Sequence, residues 1–153
     1  MLIGVPKILS PELLATICEM GHGDVIVLAD AQFPAKSSAK EGNCKFLRMD
    51  GVNITQLLEA ILSLIPLDEH VEHPVTLMKK VELHKDLDIP VWLEYEKVIT
   101  DHDERGKAAI GRLERFDFND ATKKAYCIVQ TGECAIYGNI MLQKGFIPEE
   151  QRC

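Results

Sequence analysis

The chain lacks any apolar run of the roughly 18–20 residues that a bilayer-spanning helix needs, so no membrane segment is expected. Met1-Leu2-Ile3-Gly4-Val5-Pro6-Lys7 does not open the long apolar stretch of a signal peptide, and a cytoplasmic protein is the expectation. No basic cluster occurs, and the formal net charge is −7 with a pI near 5.2. Such a surface repels phosphate backbones, which argues against nucleic acid as a partner. There is no Cys-x-x-Cys pair. The five cysteines (Cys18, Cys44, Cys127, Cys134 and Cys153) are scattered and odd in number. A disulfide framework or zinc cluster would look different; reduced thiols, several of them small core residues, are expected. Neither Gly-x-Gly-x-x-Gly nor a P-loop occurs, which argues against a nucleotide cofactor. Ser37 and Ser38 have no Gly-x-Ser-x-Gly context, so a serine hydrolase is not indicated. No repeat, low-complexity tract or linker divides the chain, and residues 1–153 read as one domain.

What is present is a globular composition, 46% apolar and 27% charged, on a chain long enough to bury a sizeable core. Ser10-Pro11-Glu12 supplies a cap, a first-turn proline and a carboxylate at the positive end of the helix dipole. Leu13, Leu14, Ile17 and Cys18 would form its buried stripe, and Gly21 would end it in a left-handed conformation. Val25–Ala29 is continuously apolar, as a strand covered on both faces is. A polar loop is expected from Phe33-Pro34 through Lys40, then a strand from Cys44 to Met49 stopped by Asp50-Gly51. Ile54, Leu57, Leu58, Ile61, Leu62 and Ile65 follow helical spacing up to Pro66. Pro74–Val81 leans to strand, with Met78 out of phase with Val75, Leu77 and Val81. Val91–Ile99 predicts a helix, and Phe116–Ala125 a short one capped by Asn119 or Asp120. Strands are expected at Tyr126–Val129 and Ile136–Leu142, separated by a Thr131-Gly132-Glu133 turn. The alternation implies an α/β fold: a single compact domain whose central sheet is partly covered by helices.

Three motifs could carry chemistry. Gly21-His22-Gly23-Asp24 places a histidine between two glycines, where a ligand can approach closely. An imidazole suits proton transfer near neutral pH. Asp30 follows the Val25–Ala29 strand, where carboxylates of α/β sheets line ligand crevices. Tyr137-Gly138-Asn139 offers donors and acceptors of the kind that sugar hydroxyls require. Each has a plainer alternative: a solvated loop histidine, a turn-forming aspartate, a strand bulge. His70 and His73 could share a metal, but no third ligand stands at a familiar spacing, and no metal is expected. Glu94 and Glu96 suit a solvated helix face, and Asp101-His102-Asp103-Glu104-Arg105 an exposed charged turn.

In this order the motifs resemble the RbsD/FucU family of sugar mutarotases. The resemblance is carried by Ser10-Pro11-Glu12-Leu13-Leu14, Met20-Gly21-His22-Gly23-Asp24, Leu28-Ala29-Asp30, Phe33-Pro34-Ala35, Asp50-Gly51, Thr131-Gly132-Glu133 and Tyr137-Gly138-Asn139. Pro66-Leu67-Asp68 and Pro90-Val91-Trp92 resemble the fucose branch of the family. The resemblance implies a cofactor-independent isomerase interconverting the anomers of a free monosaccharide, here L-fucose. It implies His22 as the catalytic proton-transfer residue, and Asp30, Asp68, Met78, Tyr137 and Asn139 as substrate contacts. Asp30 would orient His22 or bind a hydroxyl, and Met78 would face the methyl group of a 6-deoxy sugar. It further implies a ring-like homo-oligomer, often a decamer, with sites near subunit contacts. A pyranase acting on D-ribose and a non-catalytic sugar-binding protein are the alternatives. One departure stands out. Where the fucose branch usually follows Phe116-Asp117-Phe118 with a site tyrosine, this chain has Asn119.

Overall fold

Ser10 caps the first helix as its sequence implies. Its Oγ accepts from the Leu13 amide at 3.1 Å, and α1 runs Pro11–Glu19. The computed structural model describes residues 2–149, so Cys153 lies outside the described residues. The buried face of α1 is Leu13, Thr16 and Ile17; Leu14 is half-buried and Cys18 exposed, contrary to the expected stripe. Thr16 takes the third buried place because its hydroxyl is satisfied by the Glu12 carbonyl at 2.8 Å. Gly21 does not end the helix in a left-handed conformation. Met20 takes an extended cap, and the left-handed glycine is Gly23, with φ +85°.

The remaining α-helices and strands are β1 (Val25–Ala29), α2 (Ala35–Gly42), β2 (Lys45–Met49), α3 (Ile54–Leu62), β3 (Val75–Met78), α4 (Pro90–His102), β4 (Ile110–Leu113), α5 (Arg115–Thr122), β5 (Cys127–Thr131) and β6 (Ile140–Gln143), with short 3-10 turns at Glu82–His84 and Gly106–Ala109. Six strands form one mixed sheet in the order β2-β5-β1-β6-β3-β4. β1 is parallel to β5 and antiparallel to β6, which in turn is antiparallel to β3. Ile26, Val27, Leu28 and Ala29 are all fully buried. Side chains alternate between faces along a strand, so β1 is covered on both. Helices α3 and α4 pack together, α3 reaching β1; α2 packs on α5, β2 and β5. The α/β sheet covered by helices is therefore as expected. No helix among the described residues is long and apolar enough to cross a membrane.

Several local expectations need correction. The polar segment after Pro34 is the helix α2, not a loop. Its buried residues are Ala35, Ser38 and Ala39, a narrow face of small side chains at helical spacing. Gly42 lets that helix end approach α5, since a Cβ there would lie 1.9 Å from the Lys123 carbonyl oxygen. Asn119 and Asp120 do not cap α5, which begins at Arg115 and is held by fully buried Phe118 and Thr122 one turn apart. Strand β4 is an addition. β6 starts at Ile140 rather than Ile136, because Tyr137 takes φ 59° and breaks the extended run. Asp101 and His102 belong to the last turn of α4. Arg105 is half-buried, donating to the carbonyls of Val71 (2.9 Å) and Asp68 (3.1 Å) while paired with Asp103. The four described cysteines are free. Only Cys127 is buried, its thiol pushed up to about 12 by burial; Cys18 and Cys134 are exposed.

Candidate active site

The residues singled out by sequence gather at two places. The first is the amino-terminal end of β1. Gly21 donates to Asp24 Oδ2 at 2.7 Å and Gly23 to the Lys144 carbonyl at 2.9 Å, which fixes the turn carrying His22. Asp68 follows Leu67, which bridges Lys144 beside β6, and its amide donates to the Gln143 carbonyl at 3.0 Å. Its carboxylate is almost wholly buried. Oδ1 meets His22 Nε2 at 3.0 Å and accepts from the His70 amide at 2.9 Å; Oδ2 accepts from Gln143 Nε2 at 3.0 Å. Burial pushes this carboxyl up, but the hydrogen bonds from His22, His70 and Gln143 and the charge of His22 together hold it below the usual carboxylate range. An ionised carboxylate only accepts, so His22 Nε2 carries a hydrogen in either state of the ring, and in the neutral ring Nδ1 is left as the acceptor. A buried carboxylate that fixes an imidazole's tautomer and orientation prepares it for general acid–base work.

The second place is the carboxyl-terminal end of β1. Asp30 Oδ1 accepts from the amides of Gln32 (2.9 Å) and Phe33 (2.8 Å), forming the turn that leads into α2. Asn139 clamps the same residue twice: its Nδ2 donates to Asp30 Oδ2 at 2.7 Å, and its Oδ1 accepts from the Asp30 amide at 2.8 Å. Burial raises the Asp30 carboxyl above its ordinary value. The three hydrogen bonds pull it back only in part, and the charge of Glu133 adds to the rise. The Tyr137-Gly138 backbone is held from behind by two aromatic donors. Trp92 Nε1 donates to the Tyr137 carbonyl and Tyr95 Oη to the Gly138 carbonyl, each at 2.9 Å. Burial pushes the Tyr95 phenol well up, so it remains a donor. Tyr137 Oη accepts from the Val81 amide at 3.2 Å and lies 2.9 Å from His84 Nδ1.

Two adjoining clefts open here, of about 260 and 210 Å³. Both are lined by Met78, Arg115 and Asn139; Tyr137 and His84 line the larger, Asp30 and Asn119 the smaller. The Oδ1 of Asn119 is buried without a hydrogen-bond partner. Sequence reasoning missed His84 and Arg115, which sit in no motif, and Gln143 at the other end; His70, weighed in the sequence only as a metal partner of His73, lies beside Asp68 instead. A larger cleft of about 560 Å³, lined by Val25, His73, Thr76, Lys124 and Gln143, holds none of the six predicted site residues.

The two places are separated by the length of β1. Five residues span roughly 16 Å at about 3.3 Å each. Asp30 therefore does not orient His22 within one chain, as was one expectation; Asp68 does. Of the predicted contacts, Asp68 lies with His22, whereas Met78, Tyr137 and Asn139 lie with Asp30.

Residues 3–147 match the family described as the RbsD / FucU transport protein family. The chain belongs to that family. It is 49% identical over 144 residues to a fucose mutarotase of Mus musculus, covering 93% of this chain and 92% of that protein. Among solved structures, FucU from Bifidobacterium longum superposes with a TM-score of 0.90 at 50% identity, covering 95% of this chain and 99% of its own. The fucose mutarotase of Streptococcus pneumoniae, solved in complex with L-fucose, gives a TM-score of 0.88 at 45% identity, covering 96% of this chain and all of its own.

Proposed function

We propose that this member of the RbsD/FucU family interconverts the α and β anomers of L-fucose. The observation that carries the reading is its near full-length similarity to a fucose mutarotase solved with L-fucose bound. Mutarotation opens a hemiacetal, lets the carbonyl turn, and closes the ring again. Opening takes a proton from the anomeric hydroxyl and gives one to the ring oxygen. Neither step requires a redox cofactor or a metal. His22 is the proton-transfer residue, with Nδ1 facing the sugar and Nε2 held by Asp68. Asp30 and Asn139 grip hydroxyls, Tyr137 adds a hydroxyl contact, and Met78 lies against the C6 methyl group. An apolar contact of that kind favours a 6-deoxy sugar by about 1–3 kcal/mol.

The separation of the two half-sites supports an assembled enzyme. Copies arranged head to tail in a ring bring the His22–Asp68 end of one chain to the Asp30–Asn139 end of the next, and such heterologous contacts close into rings. A decameric assembly of cytoplasmic subunits fits the resemblance. The test is NMR saturation transfer between the two anomeric protons of L-fucose, with and without the protein. Accelerated exchange that D-ribose does not compete away is expected. Fucose binding without added exchange would leave a sugar-binding protein and remove the enzyme.

A further inference from the structure

We propose that His22, Asp68 and His70 form a binding site for a borderline divalent transition-metal cation such as Zn2+, and that its occupation blocks His22. The three side chains come from two segments far apart in sequence and converge at one point. His22 Nε2 lies 3.0 Å from Asp68 Oδ1, and His70 Nδ1 lies 3.4 Å from the same oxygen. One ligand atom from each lies within 4.8 Å of the others. Ligands held at about 2.0–2.2 Å around a tetrahedral zinc ion are roughly 3.3 Å apart, so both carboxylate–imidazole distances already suit it. Small ring rotations about the exposed His22 and His70 side chains close the remaining gap.

The surroundings favour a cation. Asp68 is fixed from behind by Gln143 Nε2 and the His70 amide, the outer hydrogen bonds that orient a ligating carboxylate. Glu69 and Glu72 flank the segment in sequence, and the charge of Arg105, which donates to the Asp68 carbonyl at 3.1 Å, is paired with Asp103 at 2.8 Å. Two imidazoles and one carboxylate select Zn2+ or Co2+ over Mg2+ or Ca2+, which take oxygen ligands. The exposed side of the two rings leaves a fourth position for water. On binding, the metal replaces the hydrogen between His22 Nε2 and Asp68 Oδ1; the neutral ring keeps its one hydrogen, now on Nδ1, which can then no longer accept a proton. The imidazole is then held by the metal, and its approach to the sugar is lost.

The binding does not depend on the mutarotase reading; only the inhibition rests on it. The experiment uses the assembled wild-type protein and His70→Ala, a substitution at an exposed residue outside the proposed catalytic machinery. Calorimetric titration with Zn2+ gives one site per chain, and His70→Ala weakens it by more than about tenfold, the loss that even an outer-shell partner causes. Co2+ gives the absorption of a nitrogen–oxygen site, without a thiolate charge-transfer band. Zn2+ suppresses L-fucose anomeric exchange in the wild type and a chelator restores it, while metal-free His70→Ala exchanges normally and resists Zn2+. Absent binding, binding unchanged in His70→Ala, or a thiolate band overturns the site. Binding as expected with no anomeric exchange in any sample overturns the function and leaves the site standing.

Discussion

At the amino-terminal end of β1 a buried aspartate faces two imidazoles; at the carboxyl-terminal end another faces only amides. Asp68 and Asp30 are nearly equally hidden from solvent, and each is held by several hydrogen bonds. Yet the carboxyl of Asp68 is drawn below its ordinary range and that of Asp30 is pushed above it. Burial pushes both up. Burial is the largest influence on each; at Asp68 the hydrogen bonds from His22, His70 and Gln143, with the charge of His22, together outweigh it, whereas at Asp30 the amide hydrogen bonds do not and the carboxylate of Glu133 adds to the rise. In the proposed reaction the first end moves the proton and the second holds hydroxyls. Burial alone does not tell which carboxylate serves which purpose.

The sharpest way to break this contrast is to remove the imidazole. His22→Ala is expected to lower anomeric exchange by about 10²–10⁴-fold, the usual contribution of a positioned acid–base group, while melting close to the wild type. A folded His22→Ala protein with near-normal exchange would end the assignment of proton transfer to this end. The second test is Asn139→Ala, which leaves the Asp30 carboxylate and amide without their partner. A stability loss of about 1–3 kcal/mol in urea titration is expected, larger than that of His22→Ala, together with weaker fucose binding. Unchanged stability would show that the clamp contributes nothing to the fold.

The third test concerns pH and turns on opposite signs. Asp68 has a lowered folded-state pKa, so its stabilisation is present above its unfolded value and is lost as pH falls through the folded one. Asp30 has a raised folded-state pKa, so its contribution is present below its unfolded value and is lost as pH rises through the folded one. Against a wild type unfolded in urea at a series of pH values around the ordinary Asp value of about 3.9, Asp68→Asn should lose its deficit on the acid side. Asp30→Asn should gain ground on the wild type as pH rises above that value. Parallel curves for the two variants would mean that the environments are not opposed. The smallest expected effect is at Asn119. It lies inside α5 and caps nothing, so Asn119→Tyr carries no capping penalty. It places a phenol in the cleft that Asp30 lines and is expected to raise exchange modestly. A variant no faster than the wild type would remove this position from proton transfer.

Much of the fold was legible because its signals were strong. Ile54 to Leu62 repeats at helical spacing, and Val25–Ala29 is apolar without interruption. Helix α2 was not legible, because a face made of Ala35, Ser38 and Ala39 shows no hydrophobic period. β4 is a four-residue strand containing Gly111 and Arg112, too short and polar to stand out. The site was legible as motifs and not as an arrangement. His22, Asp30 and Tyr137-Gly138-Asn139 stood out by composition. The pairing of His22 with Asp68, 46 residues apart, depends on how β6 lies in the sheet, and so does the separation of His22 from Asp30.

That strand ties the two ends together. Asn139, just before β6, grips one aspartate; Gln143, its last residue, grips the other. β6 is thus a gauge bar of about 14 Å, with a stop at each end. A one-residue slip in its register would release both stops together, because every side chain on it would change face. In the ring proposed above, the same bar would set the pitch from one sugar to the next. Surface loops could then lengthen or shorten without altering that pitch, whereas a single insertion within Ile140–Gln143 would put every site of the proposed ring out of gauge at once.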